Sequence, residues 1–511
     1  MNREIVVGIA QLVRAPDCGS GGRGFESPYP PHKNMGLWFL RFALRLRAFC
    51  FLCNPFIKMG VNDMHLFRKQ KKGKQRAVVI GLDGMPHSLA MRLMDEGYMP
   101  NLKGLMASGS FLKMDSVLPT VSSTAWASIV TGCLPGKHRI FGFVDRMPST
   151  YEMFIPTSRQ LASKTWVEHF SGLGKRVFSM GVPTTFPPKA VNGILISGFL
   201  APDLKRATYP LHIANELAAM GYLIDIDAWQ ARENRDAFLD EIFTALDKRC
   251  EAMFKYFAQE RWDLFVTHFM DTDRLHHFLW GEVEKGQTKF VDWFHRFYQR
   301  VDQMLGQLIA RLDDDVALMI LSDHGFCTLR KEVHLNYWLR QVGLLSFANE
   351  TPRQLRDLAP QSKCYSLLPG RFYVRVRGRD YNGCVQPGAE YETVRKDLAA
   401  GLMAIRDPDT GAQVIDKVFM REEVFGGDVM DSAPDLIAKP AEGYDLKGGF
   451  EKQVLLEPSP VSGTHTFDNA MWYMNQTGVK CEDATVVDVL PTLYGILGLD
   501  LPGEVDGRCL L

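Results

Sequence analysis

Three short apolar runs in this chain end on residues that can bind a metal ion or move a proton. Ala77–Leu82 runs into Asp83, Leu264–Met270 into Asp271 and Asp273, and Val316–Leu321 into Asp323 and His324. Asp273 and His277 stand four residues apart, so one helical turn brings both to the same side. With His465, in Ser462-Gly463-Thr464-His465, the set Asp83, Asp273, His277, Asp323, His324 and His465 offers three carboxylates and three imidazoles. Oxygen and nitrogen donors without a thiolate suit zinc best and manganese next. Each piece alone has a plainer reading. Asp-Gly is commonly a turn, Asp-His after a strand is commonly incidental, and His465 by itself reads as a loop histidine. Asp271 and His276 compete with Asp273 and His277 for the same role.

A second kind of chemistry lies between Pro119 and Gly132. Ser122, Ser123 and Thr124 precede a short apolar stretch that reads as a helix. A hydroxyl at that place meets unpaired amides and the positive end of the helix dipole, so an N-cap is the plain reading. A nucleophilic hydroxyl needs something to take its proton. No Gly-x-Ser-x-Gly is nearby, which leaves a divalent metal as the activator. All three hydroxyls stay open on these grounds.

The elements that must position these groups follow from patterning. From Ala77 onward, short β-branched runs alternate with helical patterns, which predicts an α/β fold with a mostly parallel sheet sandwiched by helices. Ligands of such sheets bind beyond the carboxyl ends of the strands, so three strands delivering acids and imidazole to one edge predict one site. Apolar residues at Val291, Phe294, Val301, Leu305, Leu308 and Leu312 predict a helix before the Val316 run. Asp313-Asp314-Asp315 then reads as a solvated turn. Residues 340–425, with weaker periodicity, read as a cap-like insertion over the site. Ala484 to Leu497 reads as a helix that Pro491 can kink.

Composition bounds the function. The 511 residues carry 59 Lys plus Arg against 59 Asp plus Glu, so no net basic field exists to hold nucleic acid. Ten cysteines are too sparse for a disulfide scaffold. Residues 1–74 read differently from the rest, as an N-terminal extension that is disordered or lies upstream of the true start. Residues 15–33 are rich in Gly, Pro and Ser. Gly24-Phe25-Glu26-Ser27 is a possible translation of a stretch common in transfer RNA genes, and Met59 and Met64 are candidate starts. Leu37 to Leu52 is apolar but carries Arg41, Arg45 and Arg47, which argues against a transmembrane span and leaves a helix on a membrane surface as the alternative. No secretory cleavage site follows, so the expected location is cytoplasmic.

The ordered motifs carry a resemblance. Asp83-Gly84, then Pro119-Thr120-Val121-Ser122 with Thr131-Gly132, then Asp273-Arg274-Leu275-His276-His277-Phe278, then Asp323-His324-Gly325, then Gly463-Thr464-His465, occur in the order of the alkaline phosphatase superfamily. Over about residues 75–338 and 430–511 the chain resembles its type I phosphodiesterase/nucleotide pyrophosphatase branch. The resemblance implies one alkaline-phosphatase-like catalytic domain over residues 75–511. It implies that Asp83, Asp323, His324 and the Ser122 oxygen hold one divalent metal, and that Asp273, His277 and His465 hold the other. It selects Ser122 over Ser123 and Thr124 as nucleophile, and Asp273 with His277 over Asp271 with His276. The implied activity is hydrolysis of a small phosphodiester or pyrophosphate substrate, a nucleotide among the candidates, through a phosphoryl-serine. The Ser123 amide is a candidate for a non-bridging oxygen.

Departures temper this. Relatives commonly carry Asn three residues after the nucleophile, where this chain has Ala125, which puts pyrophosphatase specificity in doubt. The sulfatase signature is absent around Ser122. Lys137 and His138 face either substrate or solvent. Phosphonate hydrolysis, phosphomutase activity and a catalytically idle binding module are the rival readings.

Overall fold

The computed structural model describes residues 74–228, 234–426 and 431–511. The expectations for Leu37–Leu52, for the candidate starts and for the rest of residues 1–73 lie outside the described residues.

Eight strands form the central sheet: β1 (Arg76–Leu82), β2 (Ser110–Asp115), β3 (Val177–Met180), β4 (Gly193–Ile196), β5 (Thr208–Tyr209), β6 (Leu264–Phe269), β7 (Val316–Leu321) and β8 (Asp468–Met474). Their spatial order is β2-β8-β7-β1-β6-β3-β4-β5. The run from β7 through β4 is parallel, while β8 is antiparallel to both β7 and β2, and β5 to β4. Strand β1 lies between β6 and β7, with Gly81 opposite both His268 and Leu321. The three runs that end in acids are therefore neighbours in register, and their carboxyl ends open at one edge.

Alternation along β1 divides the core. Val78, Ile80 and Leu82 pack to one face with helices α2 (Arg235–Gln259) and α4 (Thr288–Ile309). Ala77 and Val79 pack to the other with α1 (Ser122–Thr131) and α6 (Val489–Leu497). Both faces being covered explains why these strands read as continuous apolar runs. Helix α3 (Asp271–Glu284) starts directly after β6. The α4 span matches the predicted helix, and Asp313 and Asp315 sit in the following turn, each paired to Arg76. The stretch read as one helix from Ala484 is divided, and Pro491 does not interrupt the helical part. Val486–Asp488 form a separate 3-10 turn and α6 begins at Val489, so the proline occupies the first turn, where no amide donor is required.

The segment expected at 340–425 forms an antiparallel sheet from Cys364–Leu367, Arg371–Val374 and Ile415–Met420 with α5 (Ala389–Met403) packed against it, and the sheet runs past the expected limit because Leu436–Pro440 pairs between the last two strands. It touches the loops of the main sheet through Phe425, Ala433 and Ile437, which pack on Leu118 and Phe141. Asp435 is its electrostatic hub. Fully buried, it accepts hydrogen bonds from Arg379 (2.7 Å), Arg421 (3.1 Å), the Tyr391 hydroxyl (2.7 Å) and the Val374 amide (2.7 Å). Burial opposes its ionisation, but the Arg379 hydrogen bond and charge outweigh that and hold its carboxyl below the usual range. Such a depressed carboxylate contributes stability above the ordinary value of 3.8 and loses it as pH falls through its lowered value. Asp435→Ala strands buried guanidinium charge and is expected to cost about 3–5 kcal/mol, read from a denaturant midpoint at pH 7, with a smaller difference in acid.

Candidate active site

Five segments converge beyond the sheet edge. β1 delivers Asp83, α3 delivers Asp273 and His277, and β7 delivers Asp323 and His324. The strand Gly325–Thr328 pairs antiparallel with Gly463–Thr466, setting His465 opposite Phe326. The amino end of α1 supplies Ser122. Gly84 lets the chain leave β1 tightly. It has φ +62, and a Cβ there would meet Phe326 at 2.9 Å and His324 at 3.0 Å.

The side chains form two contiguous groups. In the first, His324 Nε2 lies 3.5 Å from Asp83 Oδ1 and 3.4 Å from Asp323 Oδ2. Ser122 Oγ donates to Asp83 Oδ1 at 3.2 Å and sits 3.4 Å from His324 Nε2. In the second, His465 Nε2 lies 3.1 Å from both Asp273 Oδ1 and His277 Nε2, and His277 Nε2 is 3.4 Å from Asp273 Oδ1. The groups meet where the His324 and His465 rings stack, 3.7 Å between centroids. The first group is wholly buried, whereas His277 and His465 are only partly so, and the cluster opens on their side.

Hydrogen bonds orient the imidazoles. The Nδ1 atoms of His277, His324 and His465 face the carbonyls of Gly463 (3.1 Å), Gly325 (3.1 Å) and Thr120 (3.3 Å). A carbonyl only accepts, so each Nδ1 carries hydrogen, and in the neutral rings the Nε2 lone pairs point into the cluster. Burial lowers His277 to about 4 and His324 to about 3, which keeps both neutral. For His465 the Asp273 hydrogen bond and charge overcome burial and raise its value. Burial opposes ionisation of Asp273 too, but His277 and His465 outweigh it and hold the carboxyl well below its usual range. Asp323 shifts the other way, pushed well up by burial and then by the Asp83 charge. Its Oδ2 is buried without a hydrogen-bond partner. Convergent imidazole nitrogens, crowded carboxylates and an orphaned buried oxygen together form a donor set that fits divalent cations. The ligand atoms of Asp83, Asp323 and His324, and those of Asp273, His324 and His465, each fall within 4.8 Å of one another.

The competing residues are engaged elsewhere. Asp271 is paired with Arg249 at 3.0 Å, and His276 sits between the Gly84 carbonyl and the Tyr298 hydroxyl. The Ser123 and Thr124 hydroxyls are buried with no hydrogen-bond partner, and among these three hydroxyls it is Ser122 that contacts the cluster. Lys137 pairs with Asp506 at 2.6 Å. His138 is buried against Ser128 Oγ (2.9 Å), and desolvation lowers it to about 3. Both are thus engaged with neighbouring loops, and His138 is buried and not at the surface.

Sequence reasoning missed the groups behind the ligands. Arg274 bridges Asp273 (3.2 Å) and Asp225 (2.8 Å). The Thr272 hydroxyl donates to the Asp83 carbonyl (2.6 Å), and Trp126 and His268 both reach Asp83. One signal was available: His268 interrupts an otherwise apolar run, and a buried imidazole requires a partner.

The family model for type I phosphodiesterase / nucleotide pyrophosphatase matches residues 77–468. No curated protein matches the chain in sequence. Among solved structures, the fold is similar to a phosphonoacetate hydrolase from Sinorhizobium meliloti 1021 in complex with phosphonoformate (17% identity, 83% of this chain and 96% of that one, TM-score 0.58). It is also similar to murine ectonucleotide pyrophosphatase/phosphodiesterase 5 (14% identity, 84% and 97%, TM-score 0.51). The human form gives 13% identity, 85% and 97%, and a TM-score of 0.51.

Proposed function

Because the chain belongs to the type I phosphodiesterase/nucleotide pyrophosphatase family, and so to the metal-dependent phosphoesterases of the alkaline phosphatase superfamily, we propose that it hydrolyses phosphodiester or pyrophosphate bonds with Ser122 as nucleophile. The observation that carries this reading is the turning of three imidazole Nε2 atoms and three carboxylates toward one cluster, with a serine hydroxyl at its buried end. Two divalent ions, zinc before manganese, held by Asp83, Asp323, His324 and Ser122 Oγ on one side and by Asp273, His277 and His465 on the other, would supply positive charge to the attacking and leaving oxygens.

The remaining work falls to the chain. Ser122 Oγ–H already donates to Asp83 Oδ1, which holds Oγ in place, and the proton passes to solvent water as the Oγ–P bond forms. The bond from phosphorus to the leaving oxygen breaks, and that oxygen keeps the electron pair. As the first amides of α1, the Ser122 and Ser123 N–H groups have no acceptor within the helix, and the Ser123 amide is suited to a non-bridging oxygen. Water then attacks phosphorus, the Oγ–P bond breaks, the water oxygen stays on phosphorus and one of its protons returns to Ser122 Oγ. Partly exposed His277 and His465 mark the side of entry.

The likeness to a phosphonoacetate hydrolase over 96% of that protein favours phosphonate hydrolysis as the second reading. Steady-state assays with bis(p-nitrophenyl) phosphate, p-nitrophenyl phosphate and phosphonoacetate, with added zinc or manganese, separate the two. The expected result is diester turnover that a chelator abolishes and zinc restores. Phosphate release from phosphonoacetate without diester turnover would replace the first reading with the second. Turnover of none of them by zinc-replete protein would sink both.

A further inference from the structure

The three carboxylates of the cluster are not secured alike. Asp323 Oδ1 accepts one backbone amide, that of Gly84, at 3.1 Å, and Asp273 Oδ2 accepts Arg274 at 3.2 Å. Asp83 Oδ2 accepts two side-chain donors, the Trp126 indole N–H at 2.9 Å and His268 Nε2 at 2.8 Å. Both donors are wholly buried. Because a carboxylate accepts, His268 carries its proton on Nε2. Its Nδ1 is buried with no hydrogen-bond partner, so this one bond is the polar contact the ring makes.

The backbone is shaped around this clamp. The Trp126 and His268 rings meet edge to face, 4.6 Å between centroids at 79°. Gly81 lies beside His268 in the sheet, and a Cβ there would fall 2.4 Å from the Trp126 ring and 3.2 Å from His268. A strand interior normally disfavours glycine, and here its missing side chain is the space the indole fills. With Oδ2 held from two directions, Asp83 has Oδ1 left to offer, and Oδ1 is the atom facing Ser122 and His324.

Resting on the metal-dependent reading above, we infer that Trp126 and His268 are positioning residues that make Asp83 a one-oxygen ligand and set the affinity of the ion held by Asp83, Asp323 and His324, leaving the other ion alone. Groups of this kind behind a metal ligand are commonly worth about 10- to 100-fold in metal affinity.

The test is a zinc titration of chelator-stripped, full-length protein against a chromophoric competitor, with wild type, Trp126→Phe and His268→Leu in parallel. Asp83→Asn and Asp273→Asn identify which binding phase belongs to which group. Wild type is expected to show two phases. Each clamp variant should weaken the phase lost in Asp83→Asn by about 10- to 100-fold and leave the phase lost in Asp273→Asn unchanged. Trp126→Phe keeps the ring and removes the N–H, while His268→Leu acts from a different element, so a folding failure in one leaves the other to decide. Two unchanged phases in both variants overturn the clamp alone, and so does equal weakening of both phases, which marks a merely structural role. Absence of any zinc phase in wild type overturns the phosphoesterase reading and the clamp with it.

Discussion

Ser122→Ala is expected to lower diester turnover by about 10⁴-fold, equivalent to roughly 5.5 kcal/mol on the barrier, while zinc stoichiometry stays at the wild-type value. The reasoning is geometric. Ser122 Oγ sits between Asp83 Oδ1 and His324 Nε2, and no other hydroxyl of the Ser122-Ser123-Thr124 cluster has a contact there. Removing it deletes the attacking atom but none of the carboxylates or imidazoles. Ser123→Ala and Thr124→Ala should remain within about tenfold of wild type, because their side chains have no part in bond formation. Turnover and zinc content measured on the same preparations check the claim. An inactive Thr124→Ala beside an active Ser122→Ala would falsify the assignment.

Removing metal should destabilise the protein most strongly in alkaline solution. Two groups of the cluster are raised from their ordinary values, Asp323 from 3.8 and His465 from 6.5. A group whose folded value is raised contributes stability that is complete below its unfolded value and is lost as pH rises through the folded one. The depressed imidazoles His277 and His324 work oppositely, contributing in full above 6.5 and losing that contribution as pH falls below it. Chelator-stripped protein is therefore expected to lose stability as pH climbs above about 6.5, where the depressed imidazoles have nothing further to add. Zinc at about a thousandfold over its dissociation constant adds about 4 kcal/mol by mass action. It also replaces the proton on His465, so its affinity grows with pH. Melting curves of stripped and zinc-replete protein across pH 6 to 9 should diverge on the alkaline side. A constant gap would rule out His465 as the proton-coupled group.

What the sequence disclosed depended on the kind of signal. Strand ends were legible because strands buried on both faces must be apolar, so the first acid after each run stands out. That Gly81, His268 and Leu321 share one register follows from pairing between runs about 190 to 240 residues apart, which no local pattern encodes. His465 was legible through motif order alone, since its place is set by pairing with Phe326 across a long intervening segment. The choice between Asp271 and Asp273 needed tertiary contacts. Both lie in the first turn of α3, and the buried Arg249 occupies one of them. The insertion was legible as different but not as ordered. Its apolar core also encloses Arg371, Arg375 and Asp435, and buried charge runs against the rule by which a core is read from apolar residues.

The placement of β8 bears on when in its own synthesis this protein becomes active. The strand Asp468–Met474 lies between β7 and β2, and the pairing that seats His465 comes just before it in the chain. Until the ribosome has released residues 463–474, β2 has no neighbour in the sheet and the cluster lacks its last imidazole. A chain lacking these residues therefore lacks both the strand that joins β2 to the sheet and the imidazole that completes the cluster, so one segment closes the sheet and the site together.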